Sequence, residues 1–206
     1  DEPCITIVNA DNGKEVSSLW KGPRILNSLS GGSFYTYDGK TYFAPAFHNN
    51  EILEITEDSL KLAYKWDFGK DNIDISKYTF TLTDDNQAEE GRLMTDYLGN
   101  GTIPYLLGSQ YQNSKYFYVC FSYGWFPNQT IKHLFYLKSD GKSFFFKDTQ
   151  ENISIRPQAF EEECIVQFAS YDDLEAYKSI LSPAEYQKII SRNEEDNPCL
   201  IKLYFK

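Results

Sequence analysis

The sequence has very little of the chemistry that most metalloenzymes and hydrolases need. Its 206 residues include two histidines, His48 and His133. Neither the Gly-x-Ser-x-Gly nucleophile turn nor the His-Glu-x-x-His zinc motif occurs. His133 shares a predicted strand face with Ile131 and Phe135, which favours a structural role, and a lone loop histidine such as His48 is usually solvated. The sequence therefore predicts no catalytic residue, no metal site and no cofactor.

Cysteine is sparse and scattered. The four cysteines are Cys4, Cys120, Cys164 and Cys199, and no two of them form a Cys-x-x-Cys pair, which argues against a zinc site. Three of them occur in apolar, strand-like runs. Buried free thiols are favoured because cysteine is among the most buried residue types, while a disulfide stays an open alternative.

Positive charge and long apolar runs are also scarce. With 20 Lys and Arg against 30 Asp and Glu, the net charge is −10, which disfavours nucleic acids and anionic lipid surfaces as partners. No apolar run approaches the roughly 20 residues of a transmembrane helix. Because a secretion signal is absent and Asp1 is not an initiator methionine, we expect that any targeting segment has been removed.

Aromatic residues are abundant instead. Tyrosine occurs 16 times and phenylalanine 15 times, and aromatics make up 17% of the chain; this composition favours pleated sheet. The dipeptides Asn12-Gly13, Asp38-Gly39 and Asp140-Gly141 separate strand-like runs. Since these dipeptides supply the positive φ angles of two-residue hairpin loops, each one predicts a hairpin.

The runs between the turns alternate in the way that antiparallel strands do. Residues 131–138 alternate, and residues 116–123 are almost continuously apolar, which is typical of a strand covered on both faces. Alternation in residues 60–68 predicts that five apolar side chains share one face: Leu60, Leu62, Tyr64, Trp66 and Phe68.

The predicted strands fall into groups of four. The first group has strands at 34–37, 41–47, 51–55 and 60–68, and the second at 103–108, 115–123, 130–138 and 143–147. A third begins at 154–159 and 164–168 and is completed by 199–205. Recurrent four-stranded antiparallel meanders are typical of β-propeller blades. We therefore expect a mainly β, partial propeller of about three blades in a single domain, 1–206.

The expected divisions of that domain are the end of a preceding blade at 1–20, blades at 33–69 and 103–148, and a last blade at 153–206. Two small helical insertions are predicted, near 86–98 and 171–192. In the second, Ser170 can cap a helix from Tyr171, and Ser182-Pro183 with Glu185 forms a capping box that opens a helix to about Arg192.

Two segments carry a resemblance to a known family. The stretch 62–70, an aromatic strand that runs into Asp-Phe-Gly-Lys, resembles a strand end of the Bacteroides-type six-bladed, TolB-like β-propeller proteins of unknown function. Residues 193–206, an acidic Asp-Asn-Pro turn followed by an apolar strand, resemble the C-terminal portion of the same family. The resemblance implies an extracytoplasmic protein, periplasmic or at the cell surface, with a lipid anchor on a removed N-terminal segment. It also implies more blades than this chain supplies, so missing N-terminal blades, a homodimer or a different packing of the meanders are all open.

Topology places the candidate ligand-binding residues. Loops between the second and third strands of each meander emerge on the same face as the connections between blades, which brings the loops 47–50 and 123–130 together. The candidate ligand-binding residues are His48, Asn49, Tyr123, Trp125 and Asn128. Exposed aromatic rings and amides suit a glycan or a peptide; alternatively, Trp125 packs under the long connection that follows the first meander.

The sequence supports three hypotheses of function. The first is a non-catalytic binding or scaffold module at the cell envelope that recognises a glycan or a protein. The second is a propeller-type hydrolase or lyase with its site on the face of the 47–50 and 123–130 loops. The third is that the chain is one part of an assembly and has no site of its own.

Overall fold

The fold is built almost entirely from short antiparallel strands. The computed structural model describes residues 5–19, 34–44, 50–72, 104–124, 127–193 and 195–205. The strands are β1 (Ile5–Val8), β2 (Glu15–Leu19), β3 (Phe34–Tyr37), β4 (Lys40–Phe43), β5 (Glu51–Ile55), β6 (Leu60–Lys65), β7 (Pro104–Gln112), β8 (Tyr116–Tyr123), β9 (Thr130–Leu137), β10 (Ser143–Phe146), β11 (Pro157–Phe160), β12 (Cys164–Ala169) and β13 (Cys199–Tyr204). The helical segments are a 3₁₀ turn at Gly69–Asp71, a 3₁₀ helix at Tyr171–Ser179 and the α-helix α1 at Pro183–Ile190.

These strands form four sheets. A β1-β2 hairpin precedes two four-stranded sheets with the orders β3-β4-β5-β6 and β7-β8-β9-β10, and a three-stranded sheet has the order β11-β12-β13. The predicted mainly β class with antiparallel meanders is confirmed, and β13 completes the third group as expected. The helix predicted near 86–98 lies outside the described residues. No helix within the described ranges is long and apolar enough to cross a membrane.

The chain divides into two compact units. The first unit comprises residues 1–109 and 120–131, and the second comprises residues 110–119 and 132–206. The first unit contains the β1-β2 hairpin and the β3–β6 sheet, whereas the second contains the β11–β13 sheet with its helices.

The glycine turns form hairpins, but with two different loop lengths. Asp38 and Gly39 both have positive φ, 49° and 70°, and Tyr37 pairs directly with Lys40, so this loop has two residues as predicted. The other two loops have four residues, since the Asn9 amide donates to the Lys14 carbonyl and the Leu137 amide to the Lys142 carbonyl. In both of these loops glycine is the residue with positive φ, and the predicted hairpins are confirmed with loops of four residues.

The alternation predicted for residues 60–68 is interrupted by a bulge. Ile52 pairs with Tyr64 but Leu53 pairs with Leu62, so Ala63 is an extra residue in β6. A bulge reverses the face on which the following side chains lie. Leu62 is therefore on the opposite face from Tyr64 and is 57% exposed, and the prediction that all five apolar side chains share one face was wrong.

Strand β8 is buried along most of its length. All six consecutive residues from Phe117 to Ser122 are buried. Because successive residues of a strand point to opposite faces, both faces of β8 are covered, as the apolar run predicted. Phe117 and Phe121 are among the largest fully buried side chains.

The last sheet carries the helices on one face. The capping box at Ser182 is present, with the Ser182 amide donating to the Glu185 carboxylate at 3.0 Å and the Glu185 amide to the Ser182 hydroxyl at 3.3 Å. The helix ends at Ile190, earlier than predicted, and the segment after Ser170 is a 3₁₀ helix. The helices and the sheet share a core of six buried residues: Ile153, Ala169, Leu174, Tyr177, Ile189 and Ile201.

The described cysteines are free thiols. Cys120 and Cys164 are buried and Cys199 is partly buried, which agrees with the favoured interpretation; Cys4 lies outside the described residues. Burial, together with the neighbouring Glu161 carboxylate, raises the pKa of the Cys164 thiol. Such a thiol is a poor nucleophile at neutral pH.

Candidate functional site

In the first unit, the end of β6 is fixed to the residue that precedes β5. The Trp66 amide donates to the Asn50 carbonyl at 2.8 Å, and the Asn50 side-chain amide donates back to the Trp66 carbonyl at 2.6 Å. The same amide lies 3.3 Å from the Asn72 side-chain oxygen. Asn50 therefore joins the loop before β5 to the turn that follows β6.

The turn at 67–72 is organised by its own polar side chains. The Asp67 carboxylate accepts from the Gly69 amide at 2.8 Å and from the Asn72 side chain at 2.6 Å, and the Asn72 side-chain oxygen accepts from the Phe68 amide at 2.9 Å. The hydrogen bonds from the Gly69 amide and the Asn72 side chain lower the pKa of Asp67 below that of an ordinary aspartate. Gly69 supplies the positive φ of 59° that the turn requires.

Aromatic packing places this turn against the end of β8. The Phe68 ring meets the Phe121 ring edge-on with centroids 4.9 Å apart, and Trp66 does so at 6.3 Å. Burial raises the pKa of Tyr123 at the end of β8, and the negative charge of Asp71 raises it further. Asp71 and Tyr123 are thus close enough to interact electrostatically.

The β8–β9 loop is tied to its strand. The Gln129 side-chain amide donates to the Ser122 hydroxyl at 2.6 Å, and Asn128, beside it, is exposed. Of the predicted ligand-binding residues, Tyr123 and Asn128 are therefore described, whereas His48, Asn49 and Trp125 lie outside the described residues. That the loops 47–50 and 123–130 form one ligand site stays a prediction.

Sequence reasoning gave too little weight to the 67–72 turn. The sequence predicts no site there, but the turn holds polar side chains, and one of them, Asp71, interacts electrostatically with Tyr123. The signal was an Asp two residues before a Gly and five before an Asn, the spacing of a side-chain-capped turn. Within the described ranges, no group of three or more His, Cys, Asp or Glu side chains could hold a metal ion.

His133 belongs to the second unit and has a structural environment. Its Nδ1 lies 2.9 Å from the Tyr118 hydroxyl, which must donate where Nδ1 is unprotonated, and its ring packs against Phe146 at 5.7 Å. Burial lowers the pKa of His133 below the ordinary 6.5, a shift that the charge of Asp148 partly offsets. Folding therefore favours the neutral imidazole of His133 over the protonated one.

We expect acid to destabilise the fold through His133. Between the lowered folded pKa and the unfolded value of about 6.5, the unfolded state binds the extra proton. His133 therefore makes its full contribution to the free energy of unfolding above about pH 6.5. Below that pH the free energy of unfolding falls, by at most about 1.4 kcal/mol per pH unit. Urea unfolding between about pH 5 and 7 measures this slope.

The matched variant for this experiment is His133→Phe, with Tyr118→Phe as its control. The slope should flatten in His133→Phe and persist in Tyr118→Phe, which keeps a buried imidazole. An unchanged slope in His133→Phe would show that other groups cause the acid sensitivity.

Comparison with known proteins assigns the chain to a family. A family described as 6-bladed beta-propeller matches residues 10–168, which covers the β3–β6 and β7–β10 sheets, β11 and all but the last residue of β12. No curated protein and no solved structure matches the chain. The four-stranded antiparallel meanders are typical of propeller blades, and the match covers most of the chain. The chain therefore belongs to the six-bladed β-propeller family.

Proposed function

We propose that this chain is a non-catalytic recognition module that binds a glycan. The site proposed is the loop-end surface, defined by Asn50, the 67–72 turn, Tyr123 and Asn128. The observation that supports it is the convergence of the turn after β6 with Asn50 and with the end of β8 in the first unit. The predicted residues His48, Asn49 and Trp125 would extend this surface.

The chemistry of the loop-end surface suits sugar hydroxyls. A hydroxyl both donates and accepts, so it pairs with ionised carboxylates and with side-chain amides. The surface holds the carboxylates Asp67 and Asp71 and the amides Asn72 and Asn128, with a tyrosine beside them. Hydrogen bonds already fix the Asp67 and Asn72 side chains, so little side-chain freedom would be lost on binding.

We further propose that the module lies outside the cytoplasm, in the periplasm or at the cell surface. Its support is the resemblance of residues 62–70 and 193–206 to Bacteroides-type, TolB-like propellers that carry lipoprotein signals. Light scattering on the purified chain tests the associated expectation of a homodimer or of missing blades. A monomer that unfolds cooperatively would argue against obligate pairing.

A glycan array followed by calorimetry tests the function. We expect Tyr123→Ala and Asn128→Ala each to lower the affinity for a glycan identified on the array by roughly tenfold. The first removes an aromatic stacking surface and the second a hydrogen-bonding amide. Asn12→Ala, on the exposed β1–β2 turn, is the matched control and should bind normally. Binding that neither site variant changes, or capture of a protein with no glycan bound, would overturn the proposal.

A further inference from the structure

A polar cavity lies in the second unit and shares no residue with the loop-end surface. Its volume is about 160 Å³, and its walls come from residues 152–156, from β12 and from the 3₁₀ helix. This is smaller than the roughly 300–1,000 Å³ of pockets for drug-sized ligands, so it suits a small molecule or one unit of a larger one. Four of its lining residues decide what it can bind: Arg156, Gln167, Asp172 and Tyr177.

The orientation of the Gln167 amide is fixed by the backbone. Its Oε1 accepts from the Arg156 main-chain amide at 3.0 Å, and its Nε2 donates to the Ser154 carbonyl at 2.9 Å. A main-chain N–H can only donate and a carbonyl can only accept, so the amide has one possible orientation. The remaining Nε2 hydrogen donates to the Tyr177 hydroxyl at 2.6 Å.

That hydrogen bond leaves the Tyr177 hydroxyl with a donor to spare. Its oxygen accepts from Gln167, so its own hydrogen points elsewhere, and within the described part of the chain no acceptor receives it. Tyr177 is only 3% exposed and lines the cavity. A buried hydroxyl that keeps an unused donor is costly unless something in the cavity accepts it.

Charges of both signs complete the lining. The Arg156 Nε donates to the Ser154 hydroxyl at 3.2 Å, and the terminal guanidinium nitrogens have no ion-pair partner among the described residues. The Asp173 carboxylate is occupied by the Ser170 amide and hydroxyl at 3.1 and 2.7 Å. Asp172 makes no hydrogen bond within the described ranges and can accept from a ligand.

We propose that this cavity binds one neutral sugar ring. One guanidinium and two carboxylates line it, so their net charge disfavours an anionic ligand. Because Ser170 already holds the Asp173 carboxylate, one carboxylate and one guanidinium remain for a ligand, and this balance of charge suits a neutral one. A hydroxylated ring can pair with the donors and with the acceptor of the lining. Its oxygens accept from Tyr177 and Arg156, and its hydroxyls donate to Asp172. The site shares no residue with the loop-end surface, so either proposal can fail while the other stands.

Saturation-transfer NMR and calorimetry on the full chain test the site. The probes are glucose, galactose, mannose and N-acetylglucosamine, with glucuronate and glucosamine as charged counterparts. The side-chain amide of Gln167 is a local reporter, because its ¹⁵N-correlated signals should shift when a sugar accepts from Tyr177. The site variants are Tyr177→Phe and Asp172→Asn, and the matched control is Tyr186→Phe, whose hydroxyl bonds to Glu175 and does not line the cavity.

We expect a neutral sugar to bind with millimolar affinity. Its affinity should fall roughly 3- to 10-fold in each site variant and should not change in Tyr186→Phe. Since Asp172 is exposed, Asp172→Asn keeps the test valid if Tyr177→Phe unfolds. Tighter binding of glucuronate than glucose would overturn the proposal. So would saturation by no neutral sugar, or binding that neither site variant alters.

Discussion

Phe121→Ala is expected to lower the free energy of unfolding by about 3–5 kcal/mol, the usual cost of removing a buried phenylalanine. Phe121 is 1% exposed on β8, and its ring meets Trp66 and Phe68 edge-on. The substitution leaves a void that the sheet cannot close, because both faces of β8 are packed. Because Phe68 belongs to the 67–72 turn and packs on Phe121, the substitution should also make the loop-end surface less ordered.

Urea denaturation followed by tryptophan fluorescence measures the loss, with Phe144→Ala as the matched control. Phe144 is the same residue type on the outer strand β10 and is 51% exposed. Its replacement should cost less than about 1 kcal/mol. Equal losses in the two variants would show that burial in β8 does not decide the cost of removing a phenylalanine ring.

Asn113→Ala is expected to cost about 2–4 kcal/mol, because one buried amide serves two turns of the second unit. Its side-chain oxygen accepts from the Lys115 and Tyr116 amides at 2.9 and 2.7 Å, and its nitrogen donates to the Glu161 carbonyl at 2.8 Å. Asn113 is 2% exposed, so the groups it leaves are poorly reached by water. The change removes both the β7–β8 turn cap and its link to the β11–β12 turn.

Thermal and urea unfolding of Asn113→Ala and Asn12→Ala test this role. Asn12 accepts from the Lys14 amide at 2.9 Å in an exposed turn, and its loss should cost only a few tenths of a kcal/mol, since water replaces the partner. A loss as small in Asn113→Ala would mean that the link to Glu161 adds nothing to stability.

Local patterns predicted the hairpins but not their loop lengths. An Asp-Gly or Asn-Gly pair requires a turn, yet the residue before glycine adopts positive φ only where the flanking strands impose a two-residue loop. Asp38 does so and Asp140 does not. The bulge at Ala63 escaped prediction for a related reason, since alternation in one strand carries no information about its partner's register.

The site was the least predictable part. Tyr123 follows from its position at the end of an apolar strand, whereas Asn50 matters through hydrogen bonds to residues 66 and 72, which no local pattern encodes. The sequence does not predict the cavity beside Tyr177, because Gln167 has the pattern of an ordinary polar residue in β12. Its significance comes from partners at 154, 156 and 177, which only the folded chain brings together.

The order of strands in the last sheet has a kinetic consequence. Within the β3–β6 sheet and within the β7–β10 sheet, strands that are consecutive in the sequence pair with each other. Their loops therefore close over short distances and at little entropic cost. In contrast, β12 pairs with β13 across the intervening residues 170–198, which include both helices. During synthesis the two meanders can form as the ribosome delivers them, whereas the outer edge of β12 stays unpaired until β13 has been made.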